Sequence, residues 1–163
     1  MDENNYLEDY EVNQETLALC PHFHPEYQTK VLETSGVYYV KGKPLDLLKR
    51  NCKQFGASLR GRQEWAAYVM NKSYKLPILV QEHHNLLAFP THSPRHTACT
   101  WIFVNQFPDI KTAAQKQKSL VQFPNGTELT VDVSYPSLNR QMQQGFACLG
   151  YFLGRRFRFF RPE

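Results

Sequence analysis

Arg60-Gly61-Arg62 sets two guanidinium groups on either side of a residue with no side chain, within the segment Gly56-Ala57-Ser58-Leu59-Arg60-Gly61-Arg62. Two permanently charged forks beside a joint where backbone can approach closely suit the gripping of a polyanion. Nucleic acid, with its dense phosphate charge, is therefore the first partner to test. Lys49, Arg50, Lys53, Lys72 and Lys75 flank the pair. They are candidates for neutralising phosphates, contacts that position a protein without reading bases. Four to six such contacts per subunit give a log–log salt slope of about −4 to −5. The plainer reading is that Gly56 and Gly61 only end one helix and start the next, with both arginines solvated or paired to Glu64.

Other residue types invite enzyme chemistry. Cys20-x-His22-x-His24 and His92-x-x-x-His96-x-x-Cys99 contain zinc-ligand types. Pro94 interrupts the second set, so His92 and His96 are not expected to share a helix face. Cys52 and Cys99 sit among apolar neighbours, which favours packed thiols over nucleophiles. No phosphate-cradling GxxxxGK[ST], no GxGxxG and no suggestively spaced carboxylate pair occurs. No cofactor is expected; a zinc-dependent enzyme is the alternative from a different class.

The elements that must hold these residues belong to one domain, since 163 residues bury a real core. An apolar fraction of 42% and an aromatic fraction of 13% fit a folded globule. Charge is unevenly placed. Residues 1–16 hold six acids (Asp2, Glu3, Glu8, Asp9, Glu11, Glu15) and no Lys or Arg, which leaves nineteen basic against nine acidic residues beyond them. Between Lys41 and Lys75, nine basic residues face only Asp46 and Glu64, an electrostatic footprint suited to phosphate. The acidic opening lacks a signal-peptide core and no apolar run reaches the roughly 20 residues that span a bilayer. With four scattered cysteines and no CxxC pair, the expectation is a cytoplasmic protein with no membrane contact.

Residues 1–8 read as a flexible acidic tail and 9–163 as the domain. Strand character is expected over 10–19, over 29–41 with a hairpin at Ser35-Gly36, and over 76–81 and 86–89 around a Glu82–Asn85 turn. It recurs over 97–105, and over 119–123 and 127–133 around Asn125-Gly126. A helix carries Leu45, Leu48, Cys52 and Phe55 up to Gly56. A second covers 62–71 with Trp65, Val69 and Tyr68 inward, and a third covers 136–152 with Leu138, Met142, Phe146, Leu149 and Phe152 on one side. The class is α+β: one antiparallel-rich sheet with about three helices. The basic–aromatic run Arg155, Arg156, Phe157, Arg158, Phe159, Phe160, Arg161 suits either DNA-backbone contacts or a dimer seam.

One set of residues, in order and spacing, resembles the ComK family of bacterial competence transcription factors. It runs Cys52-x-x-Phe55-Gly56-x-Ser58-x-x-Gly61-Arg62, Lys75-x-Pro77-Ile78-x-Val80, Phe89-Pro90-Thr91-x-Ser93, then Cys99-x-Trp101-Ile102. Tyr10-Glu11-Val12-Asn13, Val37-Tyr38-Tyr39-Val40, Lys43-Pro44-Leu45 and Ser134-Tyr135 agree on the flanks, so the likeness covers most of 10–152. It implies a DNA-binding activator of DNA-uptake genes that docks on A·T-rich promoter boxes through the minor groove. It also implies nucleoid association, homodimers or tetramers in tandem and turnover through a proteolytic adaptor. Two departures bear on this. The chain stops at Arg161-Pro162-Glu163 where the family carries a longer tail tied to the adaptor, so a truncated regulatory paralogue acting by heterodimerisation is the nearest alternative. Arg60 stands where another member of that family has a small residue, so only Arg62 carries the motif position. A helix–turn–helix through Gly56 competes as a docking mode, but it puts Arg62 where its second helix needs an inward apolar residue.

Overall fold

The computed structural model describes residues 3–158. Phe159, Phe160 and Arg161 of the basic–aromatic run lie outside the described residues, as do the side chains of Arg156, Phe157 and Arg158.

Seven strands build the larger sheet: β1 (Tyr6–Leu7), β2 (Thr16–Pro21), β3 (Thr29–Glu33), β4 (Gly36–Val40), β5 (Ile78–Gln81), β6 (Leu86–Pro90) and β7 (Trp101–Phe103). Their order is β1-β4-β3-β2-β7-β6-β5. All neighbours run antiparallel except β1, which lies parallel to β4 with Tyr6 opposite Tyr39. A second sheet, β10-β9-β8, is formed by β8 (Asp109–Thr112), β9 (Ser119–Gln122) and β10 (Glu128–Val131). Three helices complete the α+β fold: α1 (Pro44–Gln54), α2 (Leu59–Met70) and α3 (Tyr135–Arg158).

The central strands are apolar at consecutive positions because both faces of the sheet are covered. Ile78, Val80, Leu86, Ala88, Trp101 and Phe103 enter one core, roofed by Leu47, Leu48 and Cys52 of α1. Leu79, Leu87, Phe89 and Ile102 alternate into the other, closed by Leu138 and Cys148 of α3 and by Ile110 and Val121 of the second sheet. Gly145 marks the closest approach of α3: a Cβ there would stand 2.8 Å from Val104 Cγ1 and 3.3 Å from Phe89 Cδ1.

Local chemistry sets the helix ends. Pro44 opens α1 with its φ already helical, and Asp46 sits in the first turn where the helix dipole favours an acid. At the far end Gly56 adopts φ +85°, its N–H bonding Lys53 O at 3.1 Å while Ala57 N–H bonds Cys52 O at 2.8 Å, the Schellman closure. Ser58 then caps α2, its Oγ accepting from Gly61 N–H at 3.0 Å.

Three expectations are corrected. The acidic tail is not wholly free, since Tyr6 and Leu7 zip along β4 and the Tyr6 ring stacks on Tyr39 at 5.1 Å. The strand expected from 10 begins at Thr16; Tyr10 and Val12 are instead buried from a loop. That loop is pinned by the Tyr10 hydroxyl, which donates to Glu33 Oε1 and lies 2.7 Å from Thr16 Oγ1. Finally, α2 begins at Leu59 rather than 62 and leaves Tyr68 85% exposed, because its apolar stripe runs through Trp65, Ala66 and Val69.

Candidate nucleic-acid interface

One end of the larger sheet gathers the chain's basic loops. Pro21 ends β2 opposite Thr29, Thr29 pairs with Val40 at the end of β4, and Trp101 at the start of β7 lies beside both Leu19 and Pro90. The β2–β3 loop, the entry to α1 and the 91–100 loop therefore leave the sheet together, and the start of α2 joins them. Between them lies a groove of about 920 Å³. Lys43, Lys49, Arg60 and Arg95 line it with His22, His24 and His96, against Asp46 as the lining acid. Among the described residues Lys43, Lys49 and Arg95 take part in no ion pair, whereas Arg60 Nε meets Glu64 Oε1 at 3.1 Å. Both of those side chains are well exposed, so that pair is worth little and leaves Arg60 available to a stronger anion.

The residues expected at the interface divide. Lys49 and Arg60 reach the groove. Arg50 and Lys53 lie on exposed positions of α1 but do not line it, and Arg50 is drawn to Asp9 at 3.4 Å and to Lys41 O at 3.3 Å. Arg62 is not among the lining side chains. Its side chain is only 15% exposed and its Nη1 bonds Glu82 Oε1 at 3.1 Å, tying α2 to the turn after β5. Lys72 donates to Gln141 Oε1 at 3.0 Å and to Gln144 Oε1, both on α3. Burial, with Lys75 and Arg140 nearby, holds its ammonium below the ordinary lysine range. Lys75 sits beside it at φ +49°, its carbonyl accepting from Gln141 Nε2 at 3.0 Å.

The glycine between the arginines is explained by packing. A Cβ on Gly61 would lie 3.0 Å from Ser58 Oγ, so its bareness keeps the α2 cap closed. The pair therefore occupies the first turn of α2, which begins at Leu59. Two arginines there oppose the helix dipole, and Glu64 and Glu82 offset them.

Lys43, Arg95, His22, His24 and His96 were missed as groove residues. His22, His24, His96 and Arg95 fall within the two histidine clusters of zinc-ligand type, and Lys43 within the basic Lys41–Lys75 segment. Among the described residues no three or more His, Cys, Asp or Glu side chains come together as a metal site. His92 and His96 stack at 4.8 Å, and Cys20 is turned into the core. Burial pushes the Cys20 and Cys148 thiols up to about 12 and Cys52 up to about 11, and raises Cys99, so none is poised as a thiolate. Among the described residues no helix is long and apolar enough to cross a membrane.

The sequence family this architecture represents is established by comparison. The family model described as ComK protein matches residues 7–155. The competence transcription factor of Bacillus subtilis (strain 168) is 34% identical over 137 residues, which span 83% of this chain and 71% of that protein. No solved structure matches. The chain belongs to the ComK family.

Proposed function

We propose that this protein is a transcriptional regulator of competence genes that binds A·T-rich promoter DNA through the minor groove. It acts in the cytoplasm, at the nucleoid, as homodimers or tetramers along the duplex. The observation that carries this reading is the convergence of Lys43, Lys49, Arg60 and Arg95 on one groove with a single lining acid. Arg60 and Arg95 are the guanidinium groups suited to a narrowed A·T furrow, while Lys43 and Lys49 suit the phosphates beside it. Four contacts per subunit give a log–log salt slope of about −4. Arg62 serves as a brace that holds the start of α2, and with it Arg60, in place.

A gel-shift titration tests the reading. Tighter binding to A·T-rich than to G·C-rich duplex at equal salt, reversed by a minor-groove ligand, is expected. Equal affinity for both duplexes removes the sequence preference. Displacement only by major-groove blockers transfers docking to the α1–α2 pair as a helix–turn–helix.

A further inference from the structure

Phe23 has a relative exposure of 106%, the highest of any large apolar side chain among the described residues. It lines the basic groove from the loop between β2 and β3. Isolated surface aromatics are common, and exposure alone carries nothing. What distinguishes Phe23 is how firmly its neighbours are tied down while it is left bare.

On one side, His22 N–H donates to Gln28 O at 2.9 Å and its Nδ1 bonds Tyr27 O at 2.7 Å. The His22 ring also lies 4.5 Å from that of Tyr39. On the other, His24 Nδ1 accepts from the N–H groups of Glu26 and Tyr27 at 3.0 and 2.9 Å. Tyr27 in turn packs edge-on against Tyr6 at 5.0 Å. The loop is thus rigid on both flanks of Phe23. A rigid mount removes the ordering cost that a floppy residue incurs on binding. The other exposed aromatics, Tyr68, Tyr74, Phe107, Tyr135 and Tyr151, do not line the groove.

We propose that Phe23 is a wedge: when duplex DNA lies in the groove, its ring enters a base step and stacks there, partly opening the step. The inference rests on the DNA-binding reading above and adds the residue that selects a deformable step. Cations gripping the phosphates on either side drive the ring inward, and a pyrimidine–purine step such as TA unstacks most readily. The groove's positive charge favours this occupant over an apolar partner.

The test places 2-aminopurine at successive positions of an A·T-rich duplex and follows its fluorescence as wild type, Phe23→Ala and Phe23→Leu bind. Wild type raises the signal at one step. Phe23→Ala abolishes that rise and weakens binding roughly 5- to 150-fold, the range set by loss of one stacked base. Its salt slope and melting temperature stay unchanged, because the phosphate contacts and the core are untouched. Phe23→Leu retains part of the rise, as leucine also wedges. If Phe23→Ala binds with wild-type affinity and the same fluorescence change, the wedge is overturned while the DNA reading stands. If the variant instead loses self-association in size-exclusion chromatography and keeps the fluorescence change, Phe23 belongs to a seam between copies, and the wedge is again overturned. Wild type that binds neither A·T-rich nor G·C-rich duplex overturns both readings.

Discussion

The two faces of the larger sheet are closed in different ways. On one, the short helix α1 covers a core centred on Trp101 and Phe103, and its exposed side supplies Lys49 to the groove. On the other, the 24-residue α3 and the small sheet spread over Phe89, Leu87 and Ile102. There the neighbouring cation Lys72 is tied down by two glutamines of α3. The contrast separates charge that stabilises from charge that is offered. Under α3 a lysine is consumed by internal hydrogen bonds, while around α1 several cations face an open groove with a single acid. Basic residues close in sequence are therefore not equivalent, as Arg60 and Arg62 show two positions apart.

Breaking each face in turn tests how separate they are. Trp101→Ala empties a fully buried site on the α1 side and should cost about 3–5 kcal/mol in chemical denaturation, enough to unfold or aggregate the protein. Gly145→Ala drives a methyl into Val104 and Phe89 on the α3 side and should cost about 1–3 kcal/mol. Arg62→Ala removes an ion pair whose arginine is largely buried but whose Glu82 is exposed, and should lower stability by about 1 kcal/mol or less, with no change in the salt slope of DNA binding. Lys49→Ala, Arg60→Ala and Arg95→Ala should do the reverse, each reducing that slope by about 1 at constant melting temperature. An Arg62→Ala protein that melts normally but binds with a shallower slope would move Arg62 into the interface.

The smallest effect expected is on pH dependence. Desolvation holds His92 below the ordinary imidazole range, while its Nε2–H donates to Asp132 O at 3.1 Å and its Nδ1 lies 2.7 Å from Thr91 Oγ1. The unfolded chain therefore takes up that proton first. Its contribution is full above the unfolded value of about 6.5 and is lost as pH falls below it. Urea midpoints of wild type and His92→Gln should converge as the pH is lowered from 7 towards 5.

The central strands, the Asn125-Gly126 turn and the three helices were legible because apolar periodicity and turn chemistry are local signals. The strand β8 was not, since Asp109–Thr112 buries only Ile110 and alternates too weakly to register. Tyr6 and Leu7 were masked by the acids around them, their pairing being with a strand some thirty residues away. At the candidate site, the basic segment contains Lys49 and Arg60, which line the groove. The groove itself is a meeting of loops from five strand ends, which no single stretch of sequence displays. The Arg62–Glu82 pair was not legible for a related reason: the two lie 20 residues apart, beyond any local pattern.

One consequence follows from the central strands being oily on both sides. A strand usually resists sliding along its neighbour because a one-residue shift would plunge polar groups into the interior. Here the shifted side chains would still be greasy, so that safeguard is weak, and β2 already carries an irregular step between Thr16 and Ala18. The lock on alignment then falls to the Tyr10 hydroxyl bridging Thr16 and Glu33, a polar latch placed where hydrophobicity cannot tell one position from the next.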